Sequence, residues 1–380
     1  MPDINIISPK WAVNVQQSAN GSLPNSDDGS IDKQLASWYN LQRLLNKSIN
    51  AGTVYSNPII STQSLVYTFA QAFAGGVLSP RGTIYFIPLA GNRGQQIDIN
   101  RNVSTFSLIY TGSSVYAGGV LSPNGDIHFI PFNANRGQKI DANGIVSTYS
   151  LVYTVGSAYN GGILSSNGEV HFIPRAARVG QKISISGTVS TYSLVYTLTT
   201  GVAYYGGILS PNGDIHFVPS NAPVGQKIDS SGVVSTYSLV YTTSSILKYI
   251  GGVLAPNGDI HFIPFGADRG QKIDINGVVS TYSLVYTAGA ASANGVLSPN
   301  GDVHFVPYSG NRGQKINRSG VVSTYSLPYT ASGAFNGGVL TPNGDIYFIP
   351  TSANRLMRIS TGAYLPFDIG TCCSSFFNKS

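Results

Sequence analysis

One segment of this chain is repeated seven times, and that repetition limits the fold more than any other feature. The turn position inside the segment recurs as Pro80, Pro123, Ser166, Pro211, Pro256, Pro299 and Pro342, at spacings of 43, 43, 45, 45, 43 and 43 residues. A period of this length is one supersecondary unit that cannot bury its own apolar surface and must stack on its neighbours. Residues 118–154, GGVLSPNGDIHFIPFNANRGQKIDANGIVSTYSLVYT, are a representative copy. It divides into four strands: A over 118–121, B over 126–131, C over 138–141 and D over 146–154. A Ser-Pro-Asn-Gly turn separates A from B, and an Asn-Gly turn separates C from D, both strong local signals for reversing the chain. The strands are rich in Val, Ile, Tyr, Phe and Thr, which suit a pleated surface.

Strand D has no charged residue on either side: Val146, Thr148 and Val152 alternate with Tyr149, Leu151 and Tyr153. Both faces are therefore expected to be buried, as in a blade packed between two others. The first and last copies are nearly standard, whereas an open solenoid needs atypical capping repeats. Closure into a ring removes that need. The expected fold is all-β, a seven-bladed β-propeller of four-stranded antiparallel blades over residues 59–360. Residues 61–68, STQSLVYT, form a D strand with no A, B or C before it, while the last copy supplies A, B and C over 337–359. The early strand is expected to complete the last blade and clasp the two ends of the ring.

Outside the ring, residues 1–29 read as an extended arm and residues 30–50 as one amphipathic helix, capped by Ser30. Its apolar stripe includes Leu35, Trp38, Leu41 and Leu45, a surface for the propeller itself or for a partner subunit. The C-terminal tail, 361–380, holds the only two cysteines, Cys372 and Cys373, which are adjacent and cannot staple the ring. The start of the sequence lacks the pattern of a secretory signal, and no apolar run is long enough for a membrane span. Charged residues are only 10% of the chain and the net charge of +6 comes without a basic block, so specific nucleic-acid binding is not expected.

Three sets of recurrent residues are candidates for chemistry. His128, His171, His216, His261 and His304 occupy one repeat position, with Tyr85 and Tyr347 in the remaining copies. Histidines on separate blades stand too far apart to share an ion, so a structural hydrogen bond to a nearby hydroxyl is expected, with no metal and no cofactor. An acid follows the A–B turn as Asp126, Glu169, Asp214, Asp259, Asp302 and Asp345, read as turn chemistry. Arg93, Arg136, Arg269, Arg312 and Arg355 end the B–C loops, with Arg178 one place earlier in its copy, and Lys139, Lys182, Lys227, Lys272, Lys315 and Arg358 follow on strand C. The arginines read as a solvated rim or as a partner- or anion-binding face. In an antiparallel blade the B–C and D–A connections share one side of the disc, and these are the connections that vary between copies. That side is expected to be basic and functional, and the opposite side acidic. No catalytic motif occurs in a usable context and no blade carries a peculiar residue set, so the chain is not expected to be an enzyme.

The run LSPNGDIHFIP resembles the strand–turn–strand element of several propeller families, and "GGVLxPNGxIxxIP" looks like repeat proteins of large DNA viruses and tailed phages. That resemblance carries no functional residues. It implies a virion location and a structural role, docked through arm, helix and variable loops to other virion proteins or to copies of itself. The alternative is a glycan-binding propeller used in host attachment, with one site per blade near the D–A loops, where Tyr116, Tyr159, Tyr205, Tyr249 and Phe335 are the aromatic candidates.

Overall fold

A computed structural model describes residues 4–7, 14–17, 59–198, 201–242 and 247–360. Among them are seven four-stranded antiparallel sheets, arranged as the blades of a propeller, and no helix. Ile4–Ile7 and Asn14–Gln17 pair as a short antiparallel ribbon. The rest of the arm, the helix expected over 30–50 with Leu35, Trp38, Leu41 and Leu45, and the tail lie outside the described residues.

In the second blade, strand A is Tyr116–Leu121, B is Ile127–Pro131, C is Arg136–Ile140 and D is Val146–Ser150. The A strands of adjacent blades pack against one another all the way round, so A is the innermost strand and D the outermost. Each blade contributes the same core of Leu and Phe on A and B, as with Leu121, Phe129 and Ile130, all buried. Seven backbone hydrogen bonds close the ring near its axis. The residue before each A strand, or in the sixth blade the one before that, donates its N–H to the first B–C loop carbonyl of the preceding blade. The series runs from Ala72 onto Thr351 through Ala203 onto Arg175 to Ala334 onto Tyr308, at 2.7–3.3 Å.

Strand D is shorter than the sequence reading. It ends at Ser150, opposite Arg136, because strand C starts there and offers no further partner. The amides of Val152 and Tyr153 turn to the following blade: Gln181 Oε1 accepts from Val152 N at 3.0 Å and from Tyr153 N at 2.8 Å. Val152 itself is 60% exposed, so the expectation of two fully buried faces fails at the outer strand. Gln95, Gln138, Gln226, Gln271 and Gln314 make the same latch at five other blade junctions.

The seventh junction, between the sixth blade and the last, has Met357 in place of glutamine, and there the first of the two donor positions is Pro328, which has no N–H. One of the two donors is lost together with the acceptor, and the amide of Tyr329 is the one that remains. Pro328→Val alone restores the first donor opposite the Met357 thioether, which is no match for a glutamine oxygen, and is expected to cost about 1–3 kcal/mol. Adding Met357→Gln should recover most of it. Denaturant midpoints of both singles and the double measure the coupling, and strictly additive singles would refute the pairing.

The clasp forms as expected, over Ile59–Ser64 instead of 61–68, with Ile59 opposite Ser360 and Ser64 opposite Arg355. It has its own packing code. In six blades a glycine on strand C lies directly across from an aromatic on strand D. Gly137 faces Tyr149, whose ring stands 2.1 Å from where a Cβ would be. In the clasped blade the pair is Leu356 opposite Gln63. Large and small have exchanged strands, so this C strand has no space for the aromatic of an ordinary D strand.

Candidate functional site

The two sides of the disc differ in chemistry. On the side of the A–B and C–D turns, each recurrent acid is held by the cation of strand C. Lys139 Nζ lies 2.6 Å from Asp126, Lys182 2.8 Å from Glu169, Lys227 2.7 Å from Asp214 and Lys272 2.6 Å from Asp259. Lys315 pairs with Asp302, and Arg358 and Arg101 both reach Asp345. The first blade has Thr83 and Gln96 at these places, so acid and cation disappear together. The expectation of an acidic face is therefore corrected. Strand C brings a positive charge to every recurrent carboxylate, and among the described residues this side holds nine cations and ten acids.

The recurrent histidines lie just beneath these pairs. Nδ1 of His128, His171, His216 and His304 meets the hydroxyl of Tyr149, Tyr192, Tyr237 and Tyr325 at 3.2–3.4 Å. In the fifth blade His261 and Tyr282 keep the edge-on ring contact, with centroids 5.4 Å apart, without that bond. Burial holds the imidazoles of His128, His216, His261 and His304 down at about 4, and His171 shifts in the same direction for the same reason. The first blade exchanges both partners: Tyr85 stacks edge-on against Phe106, which has no hydroxyl to offer. Among the described residues no group of His, Cys, Asp and Glu is arranged to hold a metal.

The opposite side, where the B–C and D–A loops emerge, carries Arg93, Arg136, Arg178, Arg269, Arg312 and Arg355, all exposed. With Arg175 and Lys248 the described residues of this side hold eight cations against one acid, Asp268. Asp268 pairs only with its neighbour Arg269, at 3.3 Å, and no carboxylate among the described residues reaches Arg93, Arg136 or Arg312. Arg269 and Arg355 rest over the rings of Tyr241 and Tyr329 at 5.5 and 5.3 Å, which fixes their heads at the rim.

At the centre of this side the copies cease to be alike. The first residue of each B–C loop lies beside the axis, held by the interblade hydrogen bonds described above, and the seven are Leu89, Phe132, Arg175, Ser220, Phe265, Tyr308 and Thr351. The Arg175 guanidinium sits 5.0 Å over the Phe132 ring, and Phe265 and Tyr308 meet edge-on at 5.4 Å. The second residue of strand A also varies: Ala74, Ala117, Asn160, Tyr205, Ile250, Ala293 and Asn336. The Tyr205 hydroxyl lies within electrostatic range of Asn160, Arg175 and Tyr308. Burial raises the Tyr205 pKa and lowers that of Arg175. Next to them Lys248 stands where the other blades carry Ala or Val. It is fully buried, its Nζ donates to Ala222 O at 3.0 Å, and burial pulls its pKa down to about 8.

This mouth corrects the expectation that no blade has a peculiar residue set. Side chains from the second to sixth blades converge there, although their sequence positions are scattered through loops that look merely variable. The signal available in the sequence was Arg175, the one cation at its loop position. The aromatic glycan candidates fail for a different reason. Tyr116, Tyr159, Tyr249 and Phe335 are fully buried, and the three tyrosines donate to the carbonyls of Arg136, Val179 and Arg269. Only Tyr205, one position further along its strand, reaches the mouth.

No protein-family model matches the chain, and a search of curated proteins finds no match. Solved structures do match. A streptogramin B lyase is 19% identical with a TM-score of 0.68, over 81% of this chain and 99% of that one. Virginiamycin B lyase from Staphylococcus aureus is 16% identical with a TM-score of 0.69, over 80% of this chain and 99% of the lyase. A catalytically inactive histidine-to-alanine variant of that lyase, with quinupristin, also matches, with a TM-score of 0.65. These likenesses overturn the expectation that the chain is not an enzyme. That expectation rested on the uniformity of the blades, and propellers of this architecture include lyases. At such identities the likeness establishes the fold and assigns no activity.

Proposed function

We propose that this propeller is an interaction protein that docks an acidic surface of another macromolecule on its variable-loop side, with Arg175 and Tyr205 at the centre and the arginine rim around them. The observation that carries the reading is the asymmetry of charge. The acids after the A–B turns are paired by strand C and that side is close to balanced in charge, whereas the rim arginines of the other side have almost no carboxylate to pair with. Exposed, unpaired charge of one sign steers and orients a partner of opposite sign. The half-buried aromatics at the mouth give such a partner an apolar anchor at the centre of the contact. Head-to-tail stacking of copies is the weaker form of the idea, because the neutralised side offers no complementary surface. The repeat's resemblance to those of large DNA viruses and tailed phages makes another virion protein the partner to test first, and a virion the location.

The test uses the full chain with Arg93, Arg136 and Arg312 changed to Glu, three exposed positions whose reversal leaves the core untouched. Its incorporation into purified particles, followed by mass spectrometry, is expected to fall by about tenfold or more, since three reversed rim charges each remove roughly 0.5–1 kcal/mol. Circular dichroism and the unfolding midpoint are expected to stay unchanged. Undiminished incorporation would overturn the docking face, and absence of the wild-type chain from particles would overturn the virion setting.

A further inference from the structure

The neutral side of the disc holds clefts between consecutive blades that the docking face does not use. The cleft between the second and third blades has a volume of ≈ 150 Å³. Asp126, Lys139 and His128 line it from one blade, and Ile185 and Ser186, on the C–D turn of the next, line it from the other. Asp126 is buried, and only one of its oxygens is engaged: Oδ2 accepts from Lys139 Nζ at 2.6 Å and from Asn124 Nδ2 at 3.1 Å. No described residue bonds to Oδ1. Lys139 spends one of its three donors on that pair and is a third exposed.

Carboxylate and ammonium cancel, so the cleft has no net attraction for an ion of either sign. What remains is a charged acceptor and a charged donor side by side, with an apolar patch from Pro123 and Ile185 beside them. A vicinal diol satisfies such a pair: one hydroxyl donates to Asp126 Oδ1 while its neighbour accepts from Lys139, and each bond is charge-assisted. The carbon skeleton between the hydroxyls needs an apolar wall, which Ile185 supplies. We propose that this cleft binds a neutral sugar, one monosaccharide unit through adjacent hydroxyls.

The neighbouring cleft shows what the geometry requires. Between the third and fourth blades Glu169 replaces Asp, its carboxylate engages Lys182, Asn167 and, at 3.6 Å, His171 Nε2, and the volume falls to ≈ 60 Å³. The isoleucine is replaced there by Ser230. The fourth blade restores Asp214 and Lys227, and the fifth blade supplies Ile275 opposite them, so the junction between those two has the same three elements as the first.

Saturation-transfer NMR and calorimetry on the full chain, with the methyl glycosides of glucose, galactose and mannose and with N-acetylglucosamine, test the assignment. At least one sugar is expected to bind with a Kd of about 1 mM or tighter. Ser186→Phe, at an exposed turn position, should fill the cleft and weaken that binding at least tenfold, with the unfolding midpoint unchanged. The neutral pair Asp126→Asn with Lys139→Gln should do the same, and if that variant fails to fold Ser186→Phe alone decides. Arg175→Ala should leave sugar binding unchanged, which separates this cleft from the docking face. The proposal is overturned if none of the sugars binds at about ten times that concentration, or if binding survives Ser186→Phe, or if it is lost in Arg175→Ala.

Discussion

Deleting residues 59–64 is expected to abolish the single cooperative unfolding transition of the propeller and to produce oligomers. The deletion strips strand C of the last blade of its outer partner and opens the edge that runs from Arg355 to Ser360. Leu356, Met357 and Ile359, all buried in the closed ring, would then lie at a raw edge beside unpaired backbone groups. The latch onto Gln95 is also loosened, because its donors Val66 and Tyr67 follow directly after the deleted strand. Loss of about 3 kcal/mol or more is expected from the exposed apolar surface and the orphaned ladder together. Sedimentation and a urea transition measure both effects. A monomer with the wild-type midpoint would show that the clasp does not hold the ring. A peptide of residues 57–69 added in trans should restore the monomer. The same peptide with Gln63→Tyr should not, because Leu356 fills the space that glycine leaves beneath an aromatic in the other blades.

Acid is the second strong lever. Burial keeps His128, His216, His261 and His304 near a pKa of about 4, while in the unfolded chain they return to the ordinary value of 6.5. Between those values the unfolded chain takes up protons that the folded ring refuses. The stabilisation is therefore complete above pH 6.5 and is lost progressively as pH falls toward 4. Each imidazole contributes up to about 1.4 kcal/mol per pH unit in that window, so four contribute on the order of 5 kcal/mol per unit. His171 adds in the same sense. Urea midpoints measured from pH 7.5 to 4.5 should fall steeply across this range. The first blade provides the control, since its Tyr85 and Phe106 pack in the same place without a group that titrates at acid pH. Copying it into the fourth blade, His216→Tyr with Tyr237→Phe, should remove about a fifth of the slope that the five histidines give, at little cost at pH 7.5. A midpoint flat from pH 7.5 to 5, or a slope unmoved by the double substitution, would contradict the buried neutral state.

The repeat period, the two turn signals and the orphan D strand before the first copy were enough to read seven blades, their strand order and the closing clasp from the sequence alone. These features are local, or they repeat, and repetition lets one copy explain the next. The side of the disc on which each loop emerges also follows from strand order, which is why the arginine rim could be placed without coordinates. What strand C does to the acids could not be read that way. Lys139 and Asp126 are thirteen residues apart, and only the antiparallel register of B and C brings ammonium and carboxylate together and cancels the acidic face. Strand ends were misjudged for the same reason: Val152 and Tyr153 continue the strand pattern in sequence, but their amides belong to a glutamine of the next blade. The exchange of glycine and aromatic for Leu356 and Gln63 looks like degeneration at the chain ends until the two strands are laid side by side. The axial mouth needed the tertiary structure most. Arg175, Tyr205, Phe265 and Tyr308 come from four blades, and nothing in their spacing along the chain records that a closed ring turns the same loop position of every copy toward one axis.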